Sequence, residues 1–263
     1  MNAPKILRLL IKFPSFGFAL FLYFIASLTI FTLCGFNFVR ARKYLTKVIS
    51  YTSKVGLKII GIKVVQKIHP FNPQQNYLFV SNHLSYIDVL VISSIFPSSF
   101  VTSKEMKETF FLGHLCMLGG CLFVDRKSKK SIHKEVKELT TALNSGVNVT
   151  IFPEATTGDG AEMLRFKRPL FQAAIDANAT LLPMCLNYKS IDGEAVSLKN
   201  RDTFFWYGDM TFLNHAIGLF SAKKMVVELS VFPEIKTELG HDKAILAEKC
   251  FEIIASKYKN IST

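Results

Sequence analysis

The sequence predicts an α/β domain with a mixed, largely parallel sheet flanked by helices, preceded by an N-terminal membrane-associated helical segment. Two observations lead to this prediction. After Gly61, short runs rich in β-branched and aromatic residues alternate with segments in which apolar residues recur at helical spacing, an order typical of parallel sheets with helical crossovers. Before Gly61, residues 13–39 contain no charged side chain, and Phe, Leu and Ile predominate.

The predicted elements follow one another from residue 61 to residue 263 without a linker, repeat or low-complexity segment. This indicates one domain there, and an anchor with an amphipathic helix in residues 1–60. Strands are expected at 63–68, 77–80, 100–102, 121–124, 147–152, 181–188 and 225–232. Helices are expected at 85–95, 107–118, 128–144, 167–177 and 241–257.

The apolar run 13–39 would extend about 40 Å as a helix, which exceeds the roughly 30 Å hydrocarbon core of a bilayer. It is long enough to span, whereas Pro14 and Gly17 also permit a bent segment that enters one leaflet only. Basic residues flank both ends, which slightly favours an anchor with both ends in the cytoplasm. The run is too long for a cleaved signal peptide. Residues 41–60 predict an amphipathic helix that lies on the membrane or on the domain.

The formal charge of +12 and the positive mean hydropathy narrow the classes of partner. An anionic membrane surface suits both properties, because each exposed basic side chain near it contributes about 1 kcal/mol. Nucleic acid is not expected as a partner because no nucleic-acid-binding motif accompanies the scattered basic residues. A solvated basic surface is the alternative. The odd number of cysteines without a C-x-x-C pair predicts reduced thiols, and no metal site is expected.

The segment 77–88 combines a buried apolar run, a polar turn and the start of a helix. A histidine in such a turn and an acid in the first helical turn form a general base and its orienting partner if the turn brings them together. His83 and Asp88 occupy these places. Local structure offers alternatives, because Ser85 and Asp88 have the spacing of a capping box and His83 could be a hydrogen-bonded loop residue.

Two further strand ends carry polar residues. Arg126 follows an apolar strand and presents a planar fork suited to a phosphate, unless it pairs with Asp125 or is solvated. Glu154 follows another strand and could accept hydrogen bonds from substrate hydroxyls. The small residues after it, Thr156 and Thr157 among them, could surround a polar ligand or form an ordinary turn.

Lysines near these strand ends are candidates for an anionic head group. Lys104 lies before the strand that ends at Arg126, and Lys167 lies after the loop of small residues and glycines at 155–160. Either lysine could instead be a surface charge. No phosphate-binding P-loop, dinucleotide fingerprint or G-x-S-x-G nucleophile elbow occurs in the sequence. This argues against nucleotide hydrolysis, dehydrogenation and serine-esterase chemistry.

Four segments taken together resemble the glycerolipid acyltransferases, the family of 1-acylglycerol-3-phosphate acyltransferases. These segments are NHLSYID at 82–88, FVDR at 123–126, FPE at 152–154 and LLP at 181–183. The first resembles the N-H-x-x-x-x-D block of the family, and the others resemble its second, third and fourth blocks. Four blocks in the right order are far more specific than any one of them.

The resemblance implies an enzyme and a mechanism. His83 would act as general base on the free hydroxyl of a lysophospholipid, and Asp88 would hold the imidazole in the right tautomer. Acyl-CoA or acyl-carrier protein would supply the acyl group as co-substrate, without a cofactor and without a covalent enzyme intermediate. The product would be phosphatidic acid, made among membrane lipids on the cytoplasmic face of a bacterial inner membrane.

The resemblance also implies an acceptor site. Arg126 would bind the lipid phosphate, Glu154 would order the head group and Pro183 would shape the pocket. The other residues of the predicted substrate-binding set are Asn82, Lys104, Thr156, Thr157 and Lys167.

One departure from the family pattern bears on the acceptor. The third block of the family usually continues with Gly-Thr and then arginine or a small residue, whereas this chain has Ala155, with Thr157 and a Gly-Asp-Gly run after it. The loop and the segment 206–210 resemble a bacterial subset that includes acyltransferases acting on lyso-ornithine lipid, which is the alternative acceptor. A non-catalytic membrane lipid-binding protein is the alternative of another class.

Overall fold

The computed structural model describes residues 3–125 and 131–261. Its helices are α1 (Ala3–Leu33), α2 (Phe38–Ile60), α3 (Ile87–Ile95), α4 (Lys104–Glu108), α5 (Phe110–Leu118), α6 (Ile132–Asn144), α7 (Gln172–Asp176), α8 (Phe212–Ser221) and α9 (Lys243–Ala255). Its strands are β1 (Ile62–Ile68), β2 (Tyr77–Ser81), β3 (Ser99–Ser103), β4 (Leu122–Val124), β5 (Val149–Ile151), β6 (Thr180–Ile191), β7 (Glu194–Ala195) and β8 (Met225–Val231). Short 3₁₀ helices cover Pro169–Phe171 and Arg201–Thr203.

The strands form one sheet in the order β1-β8-β6-β2-β5-β3-β4, with β7 paired to β6. From β6 to β4 every neighbouring pair is parallel, and Val80 of β2 lies opposite Ile151 of β5 and Pro183 of β6. β8 is antiparallel to β6 and parallel to β1. The prediction of a mixed, largely parallel sheet flanked by helices is confirmed.

The central strand β2 shows why the sequence folds in this way. All five of its residues are buried, as expected for a parallel strand with helices on both faces. Tyr77 and Phe79 pack into the core on the side of α2, α3 and α8. Leu78 and Val80 alternate with them and pack into the second core, on the side of α6, α7 and α9.

Several predicted elements differ from the observed ones in extent. The helix expected at 107–118 is two helices that meet at Thr109, and the helix expected at 167–177 is a 3₁₀ turn followed by α7. Residues 128–130 of another predicted helix lie outside the described residues, and α6 begins at Ile132. Neither α8 nor β7 was predicted, and β6 continues beyond its predicted end to Ile191.

The apolar run 13–39 is not one helix, which corrects its predicted extent. α1 begins at Ala3 and ends at Leu33, and the chain then reverses through Gly35 and Phe36, both with positive φ. Asn37 caps the next helix by accepting hydrogen bonds from the first N–H groups of α2. The result is a helical hairpin of α1 and α2.

One face of α1 packs against the domain along its length. Phe13 and Phe16 contact the Phe220 ring of α8, and the Tyr23 hydroxyl donates to the Leu115 carbonyl of α5 at 2.7 Å. By length and hydropathy α1 could cross a bilayer. Its other face is apolar and exposed, with Ile6, Leu7, Leu10, Ile11, Phe18, Phe21, Leu22, Phe24, Ile25, Leu28 and Leu33 all accessible.

Candidate active site

The carboxyl ends of four adjacent strands bring candidate residues together. His83 follows β2, Glu154 follows β5, Lys104 follows β3 and Asp125 follows β4, and these strands are neighbours in the sheet. Ligands of open α/β sheets bind outside the carboxyl ends of the strands. Segments far apart in the chain therefore meet at one edge of the sheet.

Asn82 fixes the start of the turn between β2 and α3. Its side-chain amide donates to the Leu186 carbonyl at 3.0 Å and accepts from the Leu186 N–H at 2.8 Å, as a paired backbone residue of β2 would. Asn82 is fully buried. The structure thus gives Asn82 a position in the scaffold instead of the predicted contact with substrate.

His83 and Asp88 are brought together by the turn. The Oδ2 atom of Asp88 lies 2.9 Å from His83 Nδ1 and accepts from the N–H groups of Leu84 at 2.7 Å and Ser85 at 2.9 Å. The same carboxylate therefore holds the backbone that leads into α3, which has no side-chain cap at Tyr86, and contacts the imidazole. With Nδ1 engaged by Asp88, Nε2 is the nitrogen left to accept a proton.

Two aromatic residues that sequence reasoning did not assign to the site complete this dyad. The Phe152 ring stacks on the His83 ring with centroids 4.0 Å apart and planes inclined by 9°. The Tyr188 hydroxyl of β6 lies 2.5 Å from Asp88 Oδ1. Both residues fall in predicted strands, but which side chain reaches the turn depends on long-range strand register and has no local signal.

Glu154 links the turn to the loop after β5. Its Oε1 atom accepts from the His83 N–H at 2.7 Å, and its Oε2 atom accepts from the Leu164 N–H at 2.8 Å. Burial raises the pKa of Glu154 to about 7; the two hydrogen bonds lower it, and the nearby Asp88 charge adds to the rise. The observed role of Glu154 is to hold backbone, and its predicted contact with the head group stays a prediction.

The loop after Glu154 runs close to the dyad. Ala155 has a φ of +60°, and the Gly158 N–H donates to the His83 carbonyl at 2.9 Å. Gly160 also has positive φ, and a Cβ there would lie 2.3 Å from Phe205. Thr156 is exposed and Thr157 half-buried, and within the described part of the chain neither hydroxyl makes a hydrogen bond.

A pocket of about 430 Å³ is lined by Phe152, whose ring also stacks on His83. Its walls are mainly apolar, and Lys167, Asp125 and Glu135 supply charged groups. Lys104 forms a half-exposed ion pair with Asp125 at 3.2 Å. Arg126, the predicted phosphate ligand, lies outside the described residues. The other lining residues are Val101, Val124, Ile132, Pro153, Ala155, Pro169 and Leu170.

Pro183 does not line this pocket. It is buried in β6 opposite Val80 of β2, and its carbonyl accepts from the Phe232 N–H at 3.0 Å. The observed place of Pro183 is in the sheet, and its role in shaping an acceptor pocket stays a prediction.

Comparison with known proteins matches this site to a class of enzyme. A model of the family described as Acyltransferase matches residues 61–187, which contain the dyad, Glu154 and Pro183. With the relatives named below, this match makes the protein an acyltransferase, and the dyad lies within the matched residues.

Similarity to individual proteins identifies the family. The chain is 30% identical to 1-acyl-sn-glycerol-3-phosphate acyltransferase of Neisseria gonorrhoeae over 195 residues, which are 74% of this chain and 73% of that protein. It is therefore a member of the 1-acyl-sn-glycerol-3-phosphate acyltransferase family. It is also 27% identical to lyso-ornithine lipid O-acyltransferase of Rhizobium meliloti over 205 residues, which are 75% and 68% of the two chains.

A solved structure has the same fold. The crystal structure of the 1-acyl-sn-glycerophosphate acyltransferase PlsC from Thermotoga maritima matches with a TM-score of 0.66 and 17% identity, covering 96% of this chain and 95% of that one. The match includes the helical hairpin, since nearly the whole chain is covered.

Proposed function

We propose that this acyltransferase transfers a fatty acyl group from acyl-CoA or acyl-carrier protein to the free hydroxyl of 1-acyl-sn-glycerol 3-phosphate, giving phosphatidic acid. The observation that carries the proposal is the buried Asp88 carboxylate, which holds His83 against Phe152, a residue that lines a pocket together with Lys167. The Neisseria relative, which has this activity in its name, supports the choice of acceptor.

The dyad supplies a proton pathway for the reaction. His83 Nε2 takes the proton of the acceptor hydroxyl while that oxygen attacks the thioester carbonyl. The imidazolium that forms is stabilised by Asp88, to which it donates from Nδ1. The tetrahedral intermediate then collapses, the carbon–sulfur bond breaks, and the proton passes from His83 to the thiolate. Atoms and charge balance without a cofactor and without an acyl-enzyme.

The pocket suits a lipid with an anionic head group. Its apolar walls match an acyl chain or a glycerol backbone, and the cations at its rim match a phosphate. Lys104 and Lys167 are exposed enough to reach such a ligand, and the hydroxyls of Thr156 and Thr157 remain available to it. Arg126, next in sequence to Asp125, is the third proposed cation.

A lyso-ornithine lipid is the second candidate acceptor, and two observations favour it. The relatives named lyso-ornithine lipid O-acyltransferase match over as much of this chain as the Neisseria protein does. The pocket also contains the carboxylates of Asp125 and Glu135, which suit the amine of an ornithine head group better than a phosphate dianion.

The hairpin is the proposed membrane anchor. α1 presents an exposed apolar face opposite the face that packs on α2, α5 and α8, an arrangement that supports insertion into one leaflet. The net charge of +12 supports attachment to anionic lipids. We place the enzyme on the cytoplasmic face of a bacterial inner membrane, where acyl donors are available.

A head-group panel tests the proposal. Purified full-length enzyme in mixed micelles receives one labelled acyl donor, as the CoA ester or on carrier protein, with lysophosphatidate, lyso-ornithine lipid or neutral lysophospholipids. Labelled phosphatidic acid as the main product supports the first acceptor. Product from lyso-ornithine lipid alone selects the second acceptor, and lysolipid binding without any product contradicts acyl transfer.

A further inference from the structure

Asp88 has a second oxygen that the dyad itself does not use. Oδ2 already accepts from the turn and from His83, whereas Oδ1 faces β6 and lies 2.5 Å from the Tyr188 hydroxyl. The Asp88 side chain has no exposed surface, so water does not reach Oδ1. A buried carboxylate oxygen without a donor is costly, and Tyr188 is the donor that the fold supplies.

The fold holds Tyr188 at this place from three sides. β6 continues past the carboxyl end of β2, so Tyr188 projects beyond the last paired residue, Ser81, toward the turn. The Tyr188 ring packs against Phe204 at 4.5 Å and Phe205 at 5.3 Å between centroids. Burial, with the negative charge of Asp88, raises the pKa of Tyr188 well above its usual range, which keeps the phenol protonated and donating.

We propose that Tyr188 is a positioning residue of the acyl transfer. Its phenol donates a hydrogen bond to Oδ1 of Asp88 and thereby sets how strongly Asp88 accepts the hydrogen bond from Nδ1 of His83. This inference rests on the proposed general-base role of His83. A hydrogen bond to a carboxylate disperses its charge and makes it a weaker acceptor toward its other partners. Without the phenol, Asp88 stabilises the imidazolium more strongly and His83 gives up its proton less easily.

Other titratable groups also face Asp88. They are Glu154 after β5 and Tyr258 after α9, whereas Tyr86 of the same turn acts on Tyr188. Glu154 titrates near neutrality, so the pH–rate curve of a single protein contains its contribution as well. The effect of Tyr188 is therefore measured in two ways: by comparing the pH–rate curves of matched variants, and by titrating the His83 side chain directly.

The experiment compares Tyr188→Phe with Tyr77→Phe in the full-length protein. Tyr77 is the matched control because it is also a buried tyrosine bonded to a carboxylate, Glu234 at 2.8 Å, but lies at the opposite end of β2 from the dyad. Rates are measured against pH with both substrates varied. In parallel, carbon-13-labelled histidine is titrated by NMR, and the His83 signal is assigned by its loss in His83→Ala.

For Tyr188→Phe we expect the acid limb of the pH–rate curve and the His83 titration to move upward together by roughly 0.5–1 pH unit. We also expect kcat to fall about tenfold with KM within about twofold. Tyr77→Phe should move neither curve. If Tyr188→Phe leaves the His83 titration where it is in the wild type, Tyr188 only packs and the proposal is wrong.

Two further arms keep the outcome decisive. If Tyr188→Phe does not fold, 3-fluorotyrosine at position 188 retains the shape and donates more strongly, so the His83 titration should move downward; an unchanged titration overturns the proposal. In an Asp88→Asn background, Tyr188→Phe should have no further effect on kcat. The NMR arm needs no substrate, so it decides the role of Tyr188 even if every acceptor in the panel fails.

Discussion

The turn that carries His83 and the loop that follows Glu154 lie side by side but are held very differently. In the turn, Asp88 contacts four donors, and Asn82 is paired on both sides of its amide. In the loop, Thr156 and Lys167 are exposed, and Ala155 adopts a left-handed conformation. Glu154 joins the two regions.

Under the proposed function, this difference separates the chemistry from the choice of acceptor. Proton transfer depends on angles and distances, and a densely bonded buried turn fixes them. The proposed acceptor recognition depends on side chains that are not already engaged, and the exposed Lys167 at the end of the loop, which lines the pocket, is such a side chain. Changes in the turn should therefore act on kcat, while changes in the loop should act on KM and on head-group preference.

The strongest test of the turn is His83→Ala. Removal of the general base should lower kcat by about 10²–10⁴ while the protein remains folded, because Asp88 keeps its other donors. The measurement is single-turnover acyl transfer with thermal unfolding beside it. His133→Ala, an exposed histidine of α6, is the control and should leave the rate unchanged. Wild-type turnover in His83→Ala would exclude the dyad as the base.

Glu154, which joins the two regions, should make the stability of the protein depend on pH. The pKa of Glu154 is raised from 4.5 to about 7 in the folded chain, so between these values the folded state binds more protons than the unfolded state. The free energy of unfolding should therefore fall by roughly 3 kcal/mol as the pH rises from 4.5 to 7. Denaturant unfolding at several pH values measures the slope.

Glu154→Gln should remove that slope, because the side chain no longer titrates. The control is Glu228→Gln, since Lys67 lowers the pKa of Glu228 and its own contribution to stability is lost as the pH falls. If the slope of stability against pH persists unchanged in Glu154→Gln, another group causes it, and Glu154 does not titrate between pH 4.5 and 7.

The loop is tested by Lys167→Gln. A charge-assisted contact with an anionic head group is worth about 1.5–3 kcal/mol, so KM for the acceptor should rise about tenfold or more, with kcat within about twofold. The exposed Lys137 of α6 provides the control substitution Lys137→Gln. Initial rates at varied acceptor concentration give KM and kcat separately. A change confined to kcat would contradict a role of Lys167 in acceptor binding.

The smallest expected effect is at Ala155. A left-handed φ costs an alanine about 1–2 kcal/mol, and part of this is offset in glycine by greater freedom of the unfolded chain. Ala155→Gly should therefore stabilise the protein by roughly 0.5 kcal/mol. Ala173→Gly in the buried helix α7 is the control and should destabilise it by about 1 kcal/mol. Equal destabilisation in both variants would contradict strain at Ala155.

Much of this fold could be predicted because its strands are short, apolar and separated by helical segments. The same reasoning placed His83 and Asp88 together, since a strand-to-helix turn is a local feature. It did not find Tyr188 or the Leu164 N–H, because their contacts depend on register and on a loop closing over a distant turn. α8 was missed because it is short, largely apolar and lacks a side-chain cap.

In the helical hairpin of α1 and α2, too, local sequence predicts a helix but not the contacts that end it. An uncharged run of residues predicted a long helix, and hydropathy alone does not reveal the reversal at Gly35 and Phe36. At the reversal the Phe31 ring packs against Phe36 and Phe38, a contact that the composition of the run does not indicate.

Lys12 binds the hairpin to the domain in a way that bears on how the enzyme meets its substrate. Its ammonium donates to the carbonyls of Ile60, at the end of α2, and Ala222, at the end of α8. With Tyr23 bonded further along α1, the helix is not a flexible tether. If α1 lies in a bilayer as proposed, hairpin and domain move in the plane of the membrane as one body, and the turn that carries His83 keeps one height above the lipid.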